Sequence, residues 1–364
     1  MAFFGLICVV ALTACGPESK NLRTTQYSET QSSPTVDDDI SANGSNATGA
    51  EASSPQRVGI APAVPTMDST NLLSSLSVGT FNFLRLGWAD KDLNRVADLV
   101  AKAEFDVFGA TEILEASAAT EFLDVLRART GEDWRLRVSR YANGESTYKE
   151  YFGFFYRGDR VAESRPEASF CASSDGVGRT GSACYARDPG GSSGPAFERD
   201  PFVGHFTAGG HEFTMINVHL VYGGTTSEEI LRRQNEMRAL RRVMDSVRRQ
   251  TPESKVLLVG DFNLTVVTDD DAPEPEESRW SREAMPPEVF SSSPRINGIV
   301  DEGTTIGNSS YDHILYYENS DWMLEPNSTK VVVDFNRRSD AERARFRAEV
   351  SDHYPIRATF NLPE

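Results

Sequence analysis

Two packed β-sheets with helices on the outside, a mixed α/β fold, are predicted for residues 76–364, and three observations predict them. Strand-like apolar runs alternate along the span with stripes of helical period. Adjacent strands also occur with no helix between them. The run Val256–Gly260 is apolar throughout, as expected of a strand buried on both faces.

The elements follow in order. Leu76–Phe81 alternates and leads into Asn82. Residues 92–103 place Leu93, Val96, Ala97 and Val100 at helical spacing, with Asp90 as the candidate cap. Val107–Ala110 reads as a short strand before Glu112, and a second helix covers 117–129. Strands are expected near 134–139, 151–157, 201–207 and 211–218. A long helix fills 227–249, with Ile230, Met237, Leu240, Met244 and Val247 on one stripe. Its arginines (Arg232, Arg233, Arg238, Arg241, Arg242, Arg248, Arg249) read as a solvated face. Later strands fall near 313–317, 329–334 and 355–361.

Composition narrows the function classes. The 364 residues are 39% hydrophobic and 25% charged, and Lys plus Arg sum to 37 against 54 for Asp plus Glu, a net charge of −17. That excludes a protein that coats nucleic acid by bulk attraction, whose affinity comes from neutralised phosphates. It leaves room for a local phosphate site where a bound divalent cation supplies the positive charge.

Residues 1–15 form an apolar run too short to span a bilayer, which needs about 20 residues, and of the length of a secretory signal core. Leu12-Thr13-Ala14-Cys15 resembles the lipobox of bacterial lipoproteins, which implies lipid on Cys15 and a place in the cell envelope, membrane-anchored, or secretion. Residues 16–75 carry 18 Ser or Thr and a single aromatic, Tyr27. Such a stretch buries too little apolar surface to offset its ordering entropy and reads as a disordered tether. Export agrees with the cysteines: with Cys8 removed and Cys15 lipidated, Cys171 and Cys184 remain as an even pair flanking a Gly/Ser-rich loop, expected to be disulfide-bonded.

Polar residues sit at the ends of apolar runs, where a rigid sheet hands a side chain to a loop. They are Asn82, Glu112, His219, Asp261 and Asn263. Were the strand to continue past Asp261, Asp261 and Asn263 would project to one side. Glu112, Asp261 and Asp352 are hard oxygen ligands suited to Mg²⁺ or Ca²⁺. His219 and His353 titrate near neutral pH and suit proton transfer. A metal ion with two histidines fits activation of water against a phosphodiester.

These segments resemble the endonuclease/exonuclease/phosphatase superfamily, most closely its deoxyribonuclease I branch. The matches run in the family's order: Phe81-Asn82 with Gly87, Thr111-Glu112, Ser146 to Glu150 (STYKE), Glu198 to Pro201 (ERDP), Asn217-Val218-His219, Gly260-Asp261-Phe262-Asn263, Tyr311-Asp312 and Ser351 to Pro355 (SDHYP). The resemblance implies a four-layer α/β/β/α sandwich. It implies that His219 and His353 form the general acid/base pair, oriented by Glu150 and Asp312. It assigns Glu112 as metal ligand with Asp352 and Asp261 nearby, for Mg²⁺ with Ca²⁺ or Mn²⁺ as alternatives. Asn82 and Asn263 would hold the scissile phosphate and orient water, Arg199 would contact a phosphate oxygen, and Tyr148 would lie against sugar or base edges. The pair Cys171–Cys184 falls where that branch carries a small-loop disulfide.

Two departures concern the substrate. Leu114 stands where the branch carries an Arg that enters the minor groove, and Thr111 where the family has Gln. The reading is therefore an exported, lipid-anchored monomeric nuclease acting on nucleic acid, DNA first, leaving 5′-phosphate and 3′-hydroxyl ends. A phosphodiesterase for lipid head groups or inositol phosphates is the alternative, and a surface-binding protein on an inactive scaffold the third.

Overall fold

A computed structural model describes residues 73–363 apart from 89–90, 165–170, 172–181, 191–195, 223–225, 253, 266–284, 300–302 and 319–320. The signal and nearly all of the tether, with Cys15, lie outside the described residues. Strand alternation sorts the apolar side chains onto the two faces of each of two seven-stranded sheets. The first sheet contains β1 (Ser75–Leu86), β2 (Val107–Ile113), β3 (Trp134–Val138) and β4 (Tyr151–Arg157). The second contains β5 (Val161–Glu163), β6 (Ala183–Tyr185), β7 (Phe202–Ala208), β8 (His211–His219), β9 (Lys255–Asp261), β10 (Ile296–Ile299) and β11 (Asp312–Tyr317). The chain then returns to the first sheet as β12 (Met323–Leu324), β13 (Lys330–Val331) and β14 (Ile356–Asn361). The strand orders are β12-β14-β1-β2-β4-β3, with β13 on β14, and β10-β11-β9-β8-β7-β5, with β6 on β7. Pairs β1–β2 and β8–β9 are parallel; the others are antiparallel.

Strand β9 shows the layering directly. Leu257 and Val259 pack between the sheets with Val78, Phe154, Phe202, Met215 and Ile356. Val256 and Leu258 face the other way, onto Met237, Leu240, Val243, Met244 and Val247 of α3 (Ser227–Gln250). A third cluster seals the outer face of the first sheet under α1 (Leu93–Ala103) and α2 (Ala116–Thr130). The result is the expected α/β/β/α sandwich. Gly109 of β2 lets the sheets meet closely: a Cβ there would lie 2.8 Å from the Asn217 side chain. That amide donates across the sandwich to the Ala110 carbonyl at 2.9 Å.

Some sequence expectations change. The cap of α1 is Asp92, whose side chain accepts from the Arg95 N–H at 3.1 Å; Asp90 lies outside the described residues. The strand expected over 329–334 shrinks to the two residues of β13. Short α4 (Pro287–Ser291) and α5 (Asp340–Glu349) carry too little apolar periodicity to be read in advance, although Phe346 of α5 is fully buried. The α3 arginines are not a plain solvated face. Arg241 is buried and donates to the Val289 and Pro294 carbonyls, while Arg232 and Arg242 pair with Glu198 and Asp188. Cys171 and Cys184 are disulfide-bonded, as expected.

Candidate active site

Register alone gathers half of the site. In the parallel β8–β9 pair His219 lies opposite Asp261, and in the antiparallel β9–β11 pair Asp261 lies opposite Asp312. Three residues far apart in sequence thus form one row at the end of the second sheet. His353 comes from the turn before β14 and bridges to Thr305. Its N–H donates to Ser351 Oγ, whose hydroxyl donates to the Asn82 carbonyl at 2.6 Å. The SDHYP turn is thereby tied to the end of β1.

Both histidines carry a carboxylate on Nδ1: Glu150 on His219 at 2.8 Å and Asp312 on His353 at 2.7 Å. Their Nε2 atoms converge on Asp261 Oδ2, at 3.7 Å and 3.5 Å. Burial lowers both imidazole pKa values, but the carboxylates outweigh it. Glu150 with Asp261 holds His219 above its usual range, against the opposing charge of Arg199. Asp312, then Asp261, holds His353 well above it. Thr304 fixes Asp312 by accepting its backbone N–H at 3.1 Å, so this threonine orders the dyad from a turn.

Glu112 sits in a bulge of β2 against β4, in left-handed backbone at φ 56°. A non-glycine residue held there is costly, and such residues cluster at functional sites. Its carboxylate accepts from Asn82 Nδ2 at 3.0 Å and from the Tyr148 hydroxyl at 3.0 Å. Asn82 Nδ2 also reaches Asp261 Oδ2 at 3.1 Å, joining the two sheets. Asn82 therefore links two carboxylates in this structure, where a phosphate contact was expected. Burial, then the charge of Glu112, pushes the Tyr148 phenol up, so it acts as a donor, and its hydroxyl rests on Glu112. Asn263 departs from the expected shared side with Asp261, because β9 ends at Asp261 and Asn263 turns at φ 48°. Its amide donates to the Leu220 carbonyl at 3.1 Å, and its N–H to Asp261 Oδ1 at 3.0 Å. Arg199 lies beside Glu150 at 3.3 Å and over the Tyr148 ring at 5.6 Å.

The donor set fits a hard divalent cation. Asp261, Asp312 and His353 offer ligand atoms within 4.8 Å of one another. Asp352 Oδ1 and Asp312 Oδ1 are buried without a hydrogen-bond partner. This group shares only Asp261 with the expected ligands Glu112, Asp352 and Asp261. Asp352 Oδ2 meets Arg347 at 3.4 Å while its Oδ1 lies 4.0 Å from His353 Nε2, and Glu112 is oriented by Asn82 and Tyr148. Sequence reasoning missed Lys91. Burial lowers its ammonium to about 8 although Asp352 and Glu112 pull it up, which places it near both carboxylates. It also missed Glu236 of α3, which accepts the Glu198 N–H at 2.6 Å and the Val221 N–H at 2.8 Å. A buried acid inside an arginine-rich helix was the available signal. His205, His211 and His313 are structural: their ring nitrogens meet Thr214, the Pro363 carbonyl and the Leu264 carbonyl.

Fold and site together define a class, an α/β/β/α sandwich with two histidine–carboxylate dyads at one sheet edge. Among particular proteins, the chain is 30% identical over 197 residues to a deoxyribonuclease of Thioalkalivibrio sp. (strain K90mix), covering 53% of this chain and 47% of that one. It is 24% identical over 286 residues to mouse deoxyribonuclease-1-like 1, covering 76% and 77%. The chain thus spans about half the length of the bacterial relative. A solved endonuclease/exonuclease/phosphatase family protein from Bacteroides thetaiotaomicron aligns with a TM-score of 0.49 at 16% identity, over 80% of this chain and 98% of that one. No protein-family profile matches the chain.

Proposed function

We propose that the chain is a divalent-metal-dependent nuclease that hydrolyses phosphodiester bonds, DNA first, endonucleolytically, leaving 5′-phosphate and 3′-hydroxyl ends. The observation that carries this reading is the convergence of two carboxylate-backed imidazoles on Asp261 Oδ2 at 3.7 Å and 3.5 Å. A carboxylate on Nδ1 fixes the tautomer and aims Nε2 at the reacting atoms. In this reading His353 serves as the general acid and His219 takes the proton from water. Asp261 lies between them and orients both. Arg199 offers a charge-assisted hydrogen bond to a phosphate oxygen. Mg²⁺, or Ca²⁺ or Mn²⁺, would be held by Glu112, Asp352 and Asp261, with Asn82 and Tyr148 orienting the first and Asp312 adjoining the last. The cation supplies charge that stabilises the transferred phosphoryl group.

The test is a substrate panel on the full chain: duplex DNA, single-stranded DNA, RNA, sphingomyelin and an inositol phosphate. Nucleic-acid cleavage abolished by EDTA and restored by Mg²⁺ is expected; turnover confined to the lipid or inositol substrate, or metal-independent cleavage, overturns the reading. The apolar run ending at Cys15 supports membrane anchoring through lipid in the cell envelope, and the same preparation checks it by recovery in the membrane fraction, lost in Cys15→Ser.

The dyads also set a pH dependence. Glu150 raises the His219 pKa, so Glu150→Gln lowers it and makes the neutral base available at lower pH. The acid limb of the rate profile is expected to shift to lower pH, toward the ordinary histidine value of ~6.5. A limb that stays in place, measured with steady-state rates from pH 5 to 9 (about the range where histidine titrates), would separate His219 from the base role.

A further inference from the structure

One feature of the catalytic edge belongs to neither dyad. The step from Asn82 to Leu86 on β1 matches only the step from Thr111 to Ile113 on β2, so β1 bulges. Within the bulge Leu84 and Arg85 take left-handed backbone, φ 48° and 62°, and Gly87 follows at φ 103°. A Cβ on Gly87 would lie 2.9 Å from Glu115 Cβ. The Trp88 N–H closes the turn on the Arg85 carbonyl at 3.0 Å. This strained turn holds Trp88 68% exposed. Scattered exposed apolar residues are ordinary, but an indole held out by consecutive left-handed residues beside an active site is a constructed feature. The indole stands edge-on to the Tyr148 ring, with centroids 6.4 Å apart and planes at 85°. The Arg85 and Arg199 guanidinium groups lie 6.0 Å and 5.6 Å from that ring. The Tyr148 hydroxyl rests on Glu112. A continuous path thus runs outward from a candidate metal ligand through a phenol to an exposed indole, flanked by two cations.

We propose that Trp88, braced edge-on by Tyr148, forms a stacking platform for an unpaired nucleobase next to the scissile phosphate, with Arg85 on an adjoining phosphate, and that the site therefore selects single-stranded nucleic acid. The proposal rests on the nuclease reading above. Stacking on an indole needs an open base face, which a single strand offers and a duplex covers with its neighbouring pairs. A net charge of −17 gives little general attraction for a duplex backbone. Aromatic stacking tolerates any base, so the selection is for strandedness and not for sequence.

The test measures binding by fluorescence anisotropy with the full chain carrying His353→Ala to block turnover. The probes are labelled oligothymidylate, oligouridylate and a blunt DNA hairpin. Adding Trp88→Ala is expected to weaken oligothymidylate binding about tenfold, ~1.4 kcal/mol; the hairpin weakens less, so the single-strand preference falls, and Trp88→Phe keeps most of it. The oligouridylate arm tells whether the sugar matters to the platform. Equal losses on strand and hairpin, or no loss on the strand, overturn the proposal. So does a Trp88→Ala effect confined to sphingomyelin vesicles, which would make the indole a membrane contact. Wild-type cleavage of duplex and single strand that Trp88→Ala affects equally removes the platform and leaves the nuclease reading standing. A wild-type chain that cleaves and binds no nucleic acid removes both.

Discussion

Replacing His353 by alanine is expected to lower turnover about 10²- to 10⁴-fold, the range of a positioned proton-transfer group. His353 Nε2 is the better placed of the two imidazoles, 3.5 Å from Asp261 Oδ2 and backed by Asp312 at 2.7 Å. Without the ring the leaving oxygen of the proposed displacement has no acid, and Asp312 loses its buried partner. Single-turnover rates at saturating substrate measure the effect, with circular dichroism to verify the fold. His219→Ala should fall in the same range. If the two rings act on one displacement as proposed, the double variant should lose far less than the product of the two single losses. A His353→Ala enzyme that keeps more than about a tenth of wild-type turnover would remove the ring from the proton-transfer role.

The second large effect concerns stability. Phe155 of β4 is fully buried and stacks on Phe108 at 5.2 Å with planes 9° apart. Phe83 and Phe122 meet it edge-on at 6.0 Å and 5.4 Å. Phe155→Ala removes the centre of this aromatic cluster and is expected to cost ~3–5 kcal/mol, the usual range for a buried aromatic truncated to alanine. That is a large share of the ~5–15 kcal/mol that keeps a domain folded. The chemical-denaturation midpoint at constant slope gives the value. Phe155→Leu, which refills most of the volume, should recover more than half of the loss. A change below ~0.5 kcal/mol for the alanine variant, within the range of an ordinary surface change, would mean that the four rings do not pack as one unit.

Local pattern made part of this protein legible. The uniform apolar run of β9 announced a strand buried on both faces, and Leu257 with Leu258 confirm it by facing different clusters. The α3 stripe was readable because an amphipathic helix repeats its apolar side over six turns. His219, Asp261 and Asn82 were readable as polar residues ending apolar runs, and the order of motifs then tied them to His353, Glu150 and Asp312. Short elements such as β6 and α4 were not legible, since three to five residues carry no period. The true cap Asp92 lies two residues beyond the one chosen, as either aspartate satisfies a rule based on residue type.

Sequence by itself determined the chemical inventory and the sheet-and-helix layering, because residue type and side-chain period are local properties; the histidine–carboxylate partners were implied by the resemblance of the ordered motifs. Only the tertiary structure decided which atoms meet: that Asn82 joins Glu112 to Asp261 across two sheets, that Tyr148 gives its hydroxyl to Glu112, and that Asn263 turns away from the side of Asp261. It also decided that Trp88 stands in solvent beside Tyr148, whose hydroxyl rests on Glu112. The reason is physical: these contacts depend on bulges and left-handed backbone at Leu84, Arg85, Glu112 and Asn263. Asn263 is of a type that tolerates this backbone, but Leu84, Arg85 and Glu112 are not, so the surrounding fold imposes their conformation and their own side chains do not encode it.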